Sequence, residues 1–537
     1  MGSQEAERKT SMILLDSSAD NLKEMCAFLK KLSVILFFSL LAFPLSAFCQ
    51  VDTAWVRYYN GPGDKTDEVF SSTIDDSGNV FTTGYSGNNS STGDFVTIKY
   101  DRNGNQLWRK SYAGVLYNQN TPNALTLDKD GNTYITGMTG NFHCVTIKYD
   151  PDGNQLWNAL YPNGIAIGGA VATDEQSNVY VSAIAGGDYT NFDCLTLKYD
   201  SNGNQLWAAT FDKGPNYSNR SYLISPDKNG NVFVSGYSEN GITRNETEWV
   251  TIKYDSLGNQ VWMKQFSTWQ GATVGAPVDM KLDAVGNVYL TGGFQDSGIF
   301  VSYATVKYDP DGNQVWVARY RGRPNAYDFA IALVLDSNAN VYVTGYSYGE
   351  GTANADIATI KYDSNGNQLW IRHYDGPVNG YDGGSSITID SIGNIYVAGQ
   401  SEGINSSLNY VNYVILKYDS SGILLWDKRY EGLMFNRATE KLLIDRIGNV
   451  YLAGTEFQNS HDFVTIKYSP LPTLKGDLNL DGVMTLADVV LMLNFAFNGD
   501  PFPAAPAAGD LNCNGAVSSA DFVIMLQYFF LSVPLPC

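Results

Sequence analysis

Along residues 50–468, short runs of alternating apolar and polar residues, rich in Val, Ile, Tyr, Phe and Thr, are separated by clusters of Gly, Asn, Asp and Ser. A period of two with such boundaries predicts β-strands joined by tight turns. The runs recur in one arrangement. A strand ends in Lys-Tyr, a Gly-Asn turn follows, and the next strand opens on Trp, with a period of about fifty residues. The tryptophans are Trp55, Trp108, Trp157, Trp207, Trp262, Trp316, Trp370 and Trp426; the lysines are Lys99, Lys148, Lys198, Lys253, Lys307, Lys361, Lys417 and Lys467. Between them runs Asp-x-x-Gly-Asn, with Ser177 and Ala339 in place of the Gly in two copies, followed by alternating apolar residues, with its Asn at Asn79, Asn132, Asn178, Asn231, Asn287, Asn340, Asn394 and Asn449. Gly and Asn tolerate the positive φ that tight hairpins demand. Each unit therefore reads as four antiparallel strands, here a (123–128), b (133–137), c (144–150) and d (155–161).

Four strands every ~45–50 residues is the period of a propeller blade. The first repeat begins with a lone d strand at 53–59, and the last stops after a c strand at 463–468. A d strand from the N-terminus completes the last blade, closes the ring and removes an exposed edge, giving eight blades. An open array of β-hairpins would leave these complementary ends unexplained. The repeat resembles the bacterial β-propeller repeats of SBBP type, through VYVTGYS (341–347) and ATIKYDSNGNQLW (358–370). The spacing of Asp363, Gly366 and Trp370 is also similar to the tryptophan-docking motif of eight-bladed quinoprotein dehydrogenases. That resemblance implies that each indole packs on a neighbouring blade's turn Gly as an inter-blade wedge, not as a ligand platform.

The alternation stops at residue 468. After a Pro-bearing linker, 469–475, come two related segments, GDLNLDGVMTLADVVLML (476–493) and GDLNCNGAVSSADFVIML (509–526), each a polar loop followed by an apolar helix. Asp477, Asn479 and Asp481 stand at loop positions 1, 3 and 5, Gly482 turns the chain, Val483 offers a carbonyl at 7 and Asp488 closes at 12; the second copy has Asp510, Asn512, Asn514, Gly515, Ala516 and Asp521. Hard Ca²⁺ takes about six to eight oxygens, and this spacing wraps them round one point. Two calcium sites are expected, the first tighter because it carries more carboxylates. A closing Asp in place of Glu, with no helix before the loop, departs from an EF-hand. The duplicated loop-helix resembles a dockerin type I module covering 476–537. This resemblance implies a cohesin-domain partner, met at Leu486, Ala487, Ser519 and Ala520. Those residues differ from the Ser/Thr pairs of well-known cellulosomal dockerins, so the partner's identity stays open, and Leu486 fits a packing role equally well. Blade turns such as DPDGN (150–154) mimic half a calcium loop but lack a closing carboxylate and read as β-turns.

The fold expected is thus all-β: an eight-bladed propeller of four-stranded antiparallel blades, residues 50–468, plus a small α-helical calcium-loop domain. Charged residues at 17% and aromatics at 13% suit an all-β chain with ample core. A net charge of −20 disfavours nucleic acid as a partner. At the N-terminus, Lys30 and Lys31 precede the apolar run 32–43, then Pro44, Ser46 and Ala47. This reads as a secretory signal peptide, too short and wrongly flanked for a spanning helix. Residues 1–49 form that extension, with cleavage after Ala47 or Cys49 and Met25 as an alternative start. Lipidation of Cys49 wants a small residue where Phe48 stands. The protein is accordingly expected outside the cell or on its surface, with no transmembrane segment after cleavage. Cys144 and Cys194, at equivalent c-strand positions, read as buried packing residues, whereas Cys513 and Cys537 are a disulfide candidate.

Strand alternation puts the short, monotonous a–b and c–d turns on one face of the ring and the long, varied b–c and d–a connections on the other. Variable loops on a rigid scaffold are where specificity sits. The candidates are loops 86–93, 238–247 and 401–409 and the d–a aromatics Tyr117, Tyr217, Trp269, Tyr327 and Tyr381. Aromatics among Asn, Asp and Gly suit carbohydrate faces; the alternative is that they cap the blade ends. Catalytic signals are thin. His143, His373 and His461 lack metal-ligand spacing, no nucleophile elbow, phosphate loop or zinc motif occurs, and the adjacent Cys pair of quinoprotein alcohol dehydrogenases is absent. The reading is a secreted, non-catalytic propeller that binds an extracellular glycan or protein and is docked by its dockerin to a cohesin-bearing partner. The alternatives are a propeller-fold polysaccharide hydrolase or lyase and a purely structural surface protein.

Overall fold

The structure, a computed structural model, describes residues 51–62, 64–88, 93–114, 120–140, 142–186, 191–215, 217–240, 247–267, 275–295, 300–324, 326–349, 354–403, 411–434, 441–457, 460–470, 486–493, 511 and 519–531. The expected signal segment and the pair Cys513 and Cys537 lie outside this set. The described strands form eight four-stranded antiparallel sheets. Seven blades take consecutive strands, at 67–112, 121–160, 165–211, 217–266, 277–320, 329–374 and 382–434, numbered 1 to 7 here. Blade 8 joins Lys441–Ile444, Val450–Phe457 and His461–Pro470 to the N-terminal strand Val51–Tyr59, paired antiparallel from Val51 opposite Pro470 to Tyr59 opposite Phe463 with one register shift between Thr53 and Trp55. The inner strands of successive blades touch all the way round, including blade 8 against blade 1. The ring is closed as the chain ends required.

Burial follows strand position. The b and c strands are covered on both faces by neighbouring blades, so Val341–Ser347 is buried at all but one residue. The d strands face outward and alternate, as in Gln155–Leu160. A feature not read from the sequence is a bulge in the inner strands. Opposite Gly345 the register of Phe329–Leu335 slips between Ala330 and Ala332, and a Cβ on Gly345 would lie 1.9 Å from the Phe329 carbonyl oxygen. The bulge sharpens the local twist of the inner strand.

The repeated tryptophans are wedges between blades. Trp316 Nε1 and Lys307 Nζ, both on blade 5, donate to the same carbonyl of blade 6, Ser364 O, at 3.0 and 3.2 Å. The same double donation reaches Pro151 O from Trp108 and Lys99, and Arg102 O from Trp55 and Lys467. The last pair matters for closure, because Trp55 and Lys467 come from opposite ends of the chain yet dock together on blade 1. Beneath seven of the eight indoles sits a turn glycine with positive φ, such as Gly366 under Trp316. The lysine is the part that sequence reasoning left without a role. It lies over the ring of the b-strand partner in all eight blades, from Lys99 over Phe81 at 5.0 Å to Lys467 over Tyr451 at 5.5 Å. A desolvated ammonium is tolerated there because a carbonyl and a π face meet it.

The aspartate turns are β-turns. Asp150 Oδ1 accepts the N–H groups of Asp152 (3.0 Å) and Asn154 (2.7 Å), and Oδ2 accepts the Asn154 amide (2.9 Å). The Asn154 side chain, then the backbone donors, hold this carboxyl below the usual range. Its oxygens are occupied by its own turn, so it is not half of a calcium loop. Cys144 and Cys194 are free and buried, and burial pushes both thiols up to about 12. They are inert packing groups, as read.

Candidate functional site

The C-terminal module contributes two described helices, α1 (Leu486–Leu493) and α2 (Ser519–Leu531), which pack on each other. Their buried residues include Met492 and Met525. Of the expected calcium ligands, Asp477, Asn479, Asp481, Val483, Asp510, Asn512, Asn514 and Ala516 lie outside the described residues. The two carboxylates expected to close the loops are placed. Asp488 and Asp521 stand in the first turns of α1 and α2, and both are 0% exposed. Asp521 Oδ1 accepts the Leu511 N–H at 2.8 Å, which ties the second loop to the start of its helix. A helix N-terminus favours a carboxylate there. A fully buried carboxylate at the closing position of an oxygen-rich loop fits a hard cation. Leu486, Ala487, Ser519 and Ala520, the expected cohesin contacts, occupy those same first turns.

On the variable-loop face, one device recurs at five blade junctions. An aromatic ends a d strand, and an Asp or Asn follows eight residues on: Tyr59 and Asp67, Tyr112 and Asn120, Phe211 and Asn219, Tyr320 and Asp328, Tyr374 and Asp382. All five polar residues are buried. At blade 6, Asp328 Oδ2 accepts Gly322 N–H at 2.9 Å, while Oδ1 accepts the Ser347 hydroxyl at 2.7 Å and Tyr348 N–H at 3.0 Å. One side chain thus fixes the d–a connection and the end of strand b. The signal, an aromatic with Asp or Asn eight residues on and, at four of the five junctions, Gly two residues after the aromatic, was present in the sequence but hidden by the stronger Trp and Gly-Asn series.

The expected ligand-face aromatics divide. Tyr117 and Trp269 lie outside the described residues. Tyr217 begins strand a of blade 4, half-buried, with Lys213 Nζ 4.2 Å over its ring and Lys213 paired to Glu248 at 2.6 Å. Tyr381 is half-buried, 6.0 Å from Tyr346, which stacks in turn on Phe329 at 6.0 Å and 16°. Tyr327 is exposed and meets Phe300 edge-on at 5.4 Å. Tyr217 and Tyr381 thus partly cap blade ends, and Tyr327 presents the freest ring. The structure adds a cleft of about 350 Å³ lined by Thr66, Glu68, Phe70, Tyr85 and Thr121. It sits at the inner strands of blades 1 and 2, where a carboxylate and two rings suit a small polar ligand. His373 donates to or accepts from Tyr320 Oη at 3.1 Å, and burial lowers its pKa. It is a strand residue in a packing role.

Comparison with known proteins identifies two segments. Residues 475–530 match the dockerin type I domain and residues 315–351 match the beta-propeller repeat SBBP. The chain therefore carries a dockerin type I domain after an SBBP-type propeller. No curated protein sequence matches the chain. Similar solved structures include Sqt1 from Chaetomium thermophilum, 12% identical over 78% of this chain and 99% of that one (TM-score 0.47). Others are the WD40 domain of SCAP from fission yeast, 10% identical over 78% and 98% (TM-score 0.41), and a PL25 ulvan lyase, 11% identical over 76% and 95% (TM-score 0.39). None of these structural likenesses bears on function.

Proposed function

We propose that this is an exported, non-catalytic propeller that binds an extracellular glycan or protein through its variable-loop face and is delivered to a cohesin-bearing partner by its dockerin. The observation that carries the reading is the dockerin match over 475–530 together with the two buried closing carboxylates, Asp488 and Asp521. Dockerins bind calcium, pair with cohesins and occur in extracellular or cell-surface proteins. Asp477, Asn479, Asp481, the Val483 carbonyl and Asp488 would hold one ion, and Asp510, Asn512, Asn514, the Ala516 carbonyl and Asp521 the other. Bound calcium supplies the link between loop and helix that so small a module cannot obtain from its own core. Leu486, Ala487, Ser519 and Ala520 then present one helix start per repeat to the cohesin.

On the propeller, Asp67, Asn120, Asp328 and Asp382 tie down their d–a connections through side-chain hydrogen bonds and hold the loop face stiff, which lowers the ordering cost of binding. Tyr327, Tyr381 and the cleft around Glu68 supply ring faces and hydrogen-bonding groups of the kind sugars use. The docking half is tested by capture on a panel of cohesins with calcium and with chelator. Calcium-dependent capture that is lost on joint replacement of Asp488 and Asp521 by Ala supports the reading; capture indifferent to chelator sinks it.

A further inference from the structure

Three positions recur at the five blade junctions that carry this device: the opening of strand c, the residue after the d-strand aromatic, and the Asp or Asn that opens the next blade. At the seam of blades 5 and 6 these are Ser302, Arg321 and Asp328, and Arg321 Nε donates to Ser302 Oγ at 3.0 Å. That seam contains its own cation. At the next seam the same positions are Asp356, Asp375 and Asp382, and one oxygen from each lies within 4.8 Å of the others. Asp356 is 3% exposed and Asp382 is 0% exposed. The Asp382 N–H donates to Ala355 O at 2.7 Å, which sets the two strand starts side by side.

The polar accounting at this seam is incomplete. Asp382 Oδ2 accepts Gly376 N–H at 2.9 Å and the Ser401 hydroxyl also serves the Asp382 carboxyl, but the buried Asp356 Oδ1 has no donor among the described residues. Arg429 donates to Ser401 Oγ (2.8 Å), Ser401 O (3.3 Å) and Glu402 O (2.9 Å); its charge favours ionised Asp382, but it forms no described ion pair with the three carboxylates. Buried like charges at this separation need a counter-ion or a shared proton. Burial, then the charges of Asp375 and Asp382, pushes the Asp356 carboxyl up to about 6.

We propose that Asp356, Asp375 and Asp382 form a binding site for a divalent cation, calcium by its chemistry, at the seam of blades 6 and 7. All the donors are oxygens, which suits a hard ion and not zinc or copper. Asp375 is exposed, so it gives an entry path and leaves coordination positions for water. The ion pins the connection that carries Tyr381 to blade 6, and so stiffens one sector of the loop face. The site is independent of the dockerin loops.

The test uses the full chain and calcium alone. All tryptophans precede residue 427, so tryptophan fluorescence reads the propeller and not the dockerin. Calcium is expected to raise the fluorescence-monitored melting temperature relative to chelator. Asp375→Asn and Asp356→Asn should abolish that shift and lose one calcium equivalent by isothermal titration, while the dockerin equivalents remain. Because each substitution relieves repulsion, both variants should melt in chelator at or above the parent, which separates lost binding from misfolding. A propeller transition unmoved by calcium, or variants that keep the full shift and stoichiometry, would overturn the site.

Discussion

Replacing Gly366 by Ala probes the joint that repeats around the ring. Gly366 has φ +85°, and an added Cβ would lie 2.7 Å from Trp316 Cδ2. Forcing an L residue into the left-handed region costs roughly 1–2 kcal/mol. Crowding a packed contact adds about 1–3 kcal/mol. Gly393 provides the control: its φ is +90°, yet nothing lies within 4 Å of its Cβ position. Gly393→Ala should therefore carry the backbone cost alone, and Gly366→Ala should exceed it by about 1–3 kcal/mol. Denaturant unfolding followed by tryptophan fluorescence measures both, with the midpoint difference at constant slope giving the extra loss. Equal destabilisation of the two variants would show that the indole does not bear on the turn glycine, and the wedge account would fail.

Trp316→Phe keeps a ring but removes the donor to Ser364 O, and should cost about 0.5–1.5 kcal/mol for that bond, with some packing loss besides; an unchanged midpoint counts against the joint. Asp150, Asp255, Asp309 and Asp363 are held low chiefly by the Asn side chains of their own turns. Their contribution is present above the unfolded carboxylate pKa of about 4 and is lost as pH falls through the lower folded values. Thermal melts should therefore fall from about pH 4 downward, and a flat profile to pH 2 would contradict this. Deleting residues 51–59 removes the outer strand of blade 8 and exposes His461–Pro470 as an edge, so association should appear in light scattering; a monomer of parental stability would argue against closure by the N-terminus. Isothermal titration should find the loop at 477–488 tighter for calcium than that at 510–521, because it carries three carboxylates to the second loop's two; the reverse order refutes the assignment.

Much of the architecture was legible because it is repeated. The Trp, Lys and Gly-Asn series mark the same local geometry eight times, and the unmatched strands at 53–59 and 463–468 announced the closed blade. What the series could not reveal was why the lysine recurs, since its partners are a ring on the adjacent strand and a carbonyl about fifty residues later, brought together only by the stacking of blades. The seams were illegible for a related reason. Asp356 and Asp382 open strands of two different blades and Asp375 lies in the connection between those blades, and each alone looks like a solvated loop aspartate. The ligand-face aromatics show the limit of composition: Tyr381 and Tyr217 turn out half covered by neighbours, a fact of packing that no local pattern encodes.

The central claim is that the propeller binds and does not cut. Incubating the chain with soluble and insoluble polysaccharides, and scoring both retention and released sugar, tests it directly. Retention of the protein on at least one polymer with no sugar released is the predicted result. Release of oligosaccharides would contradict the claim and make the propeller a catalyst.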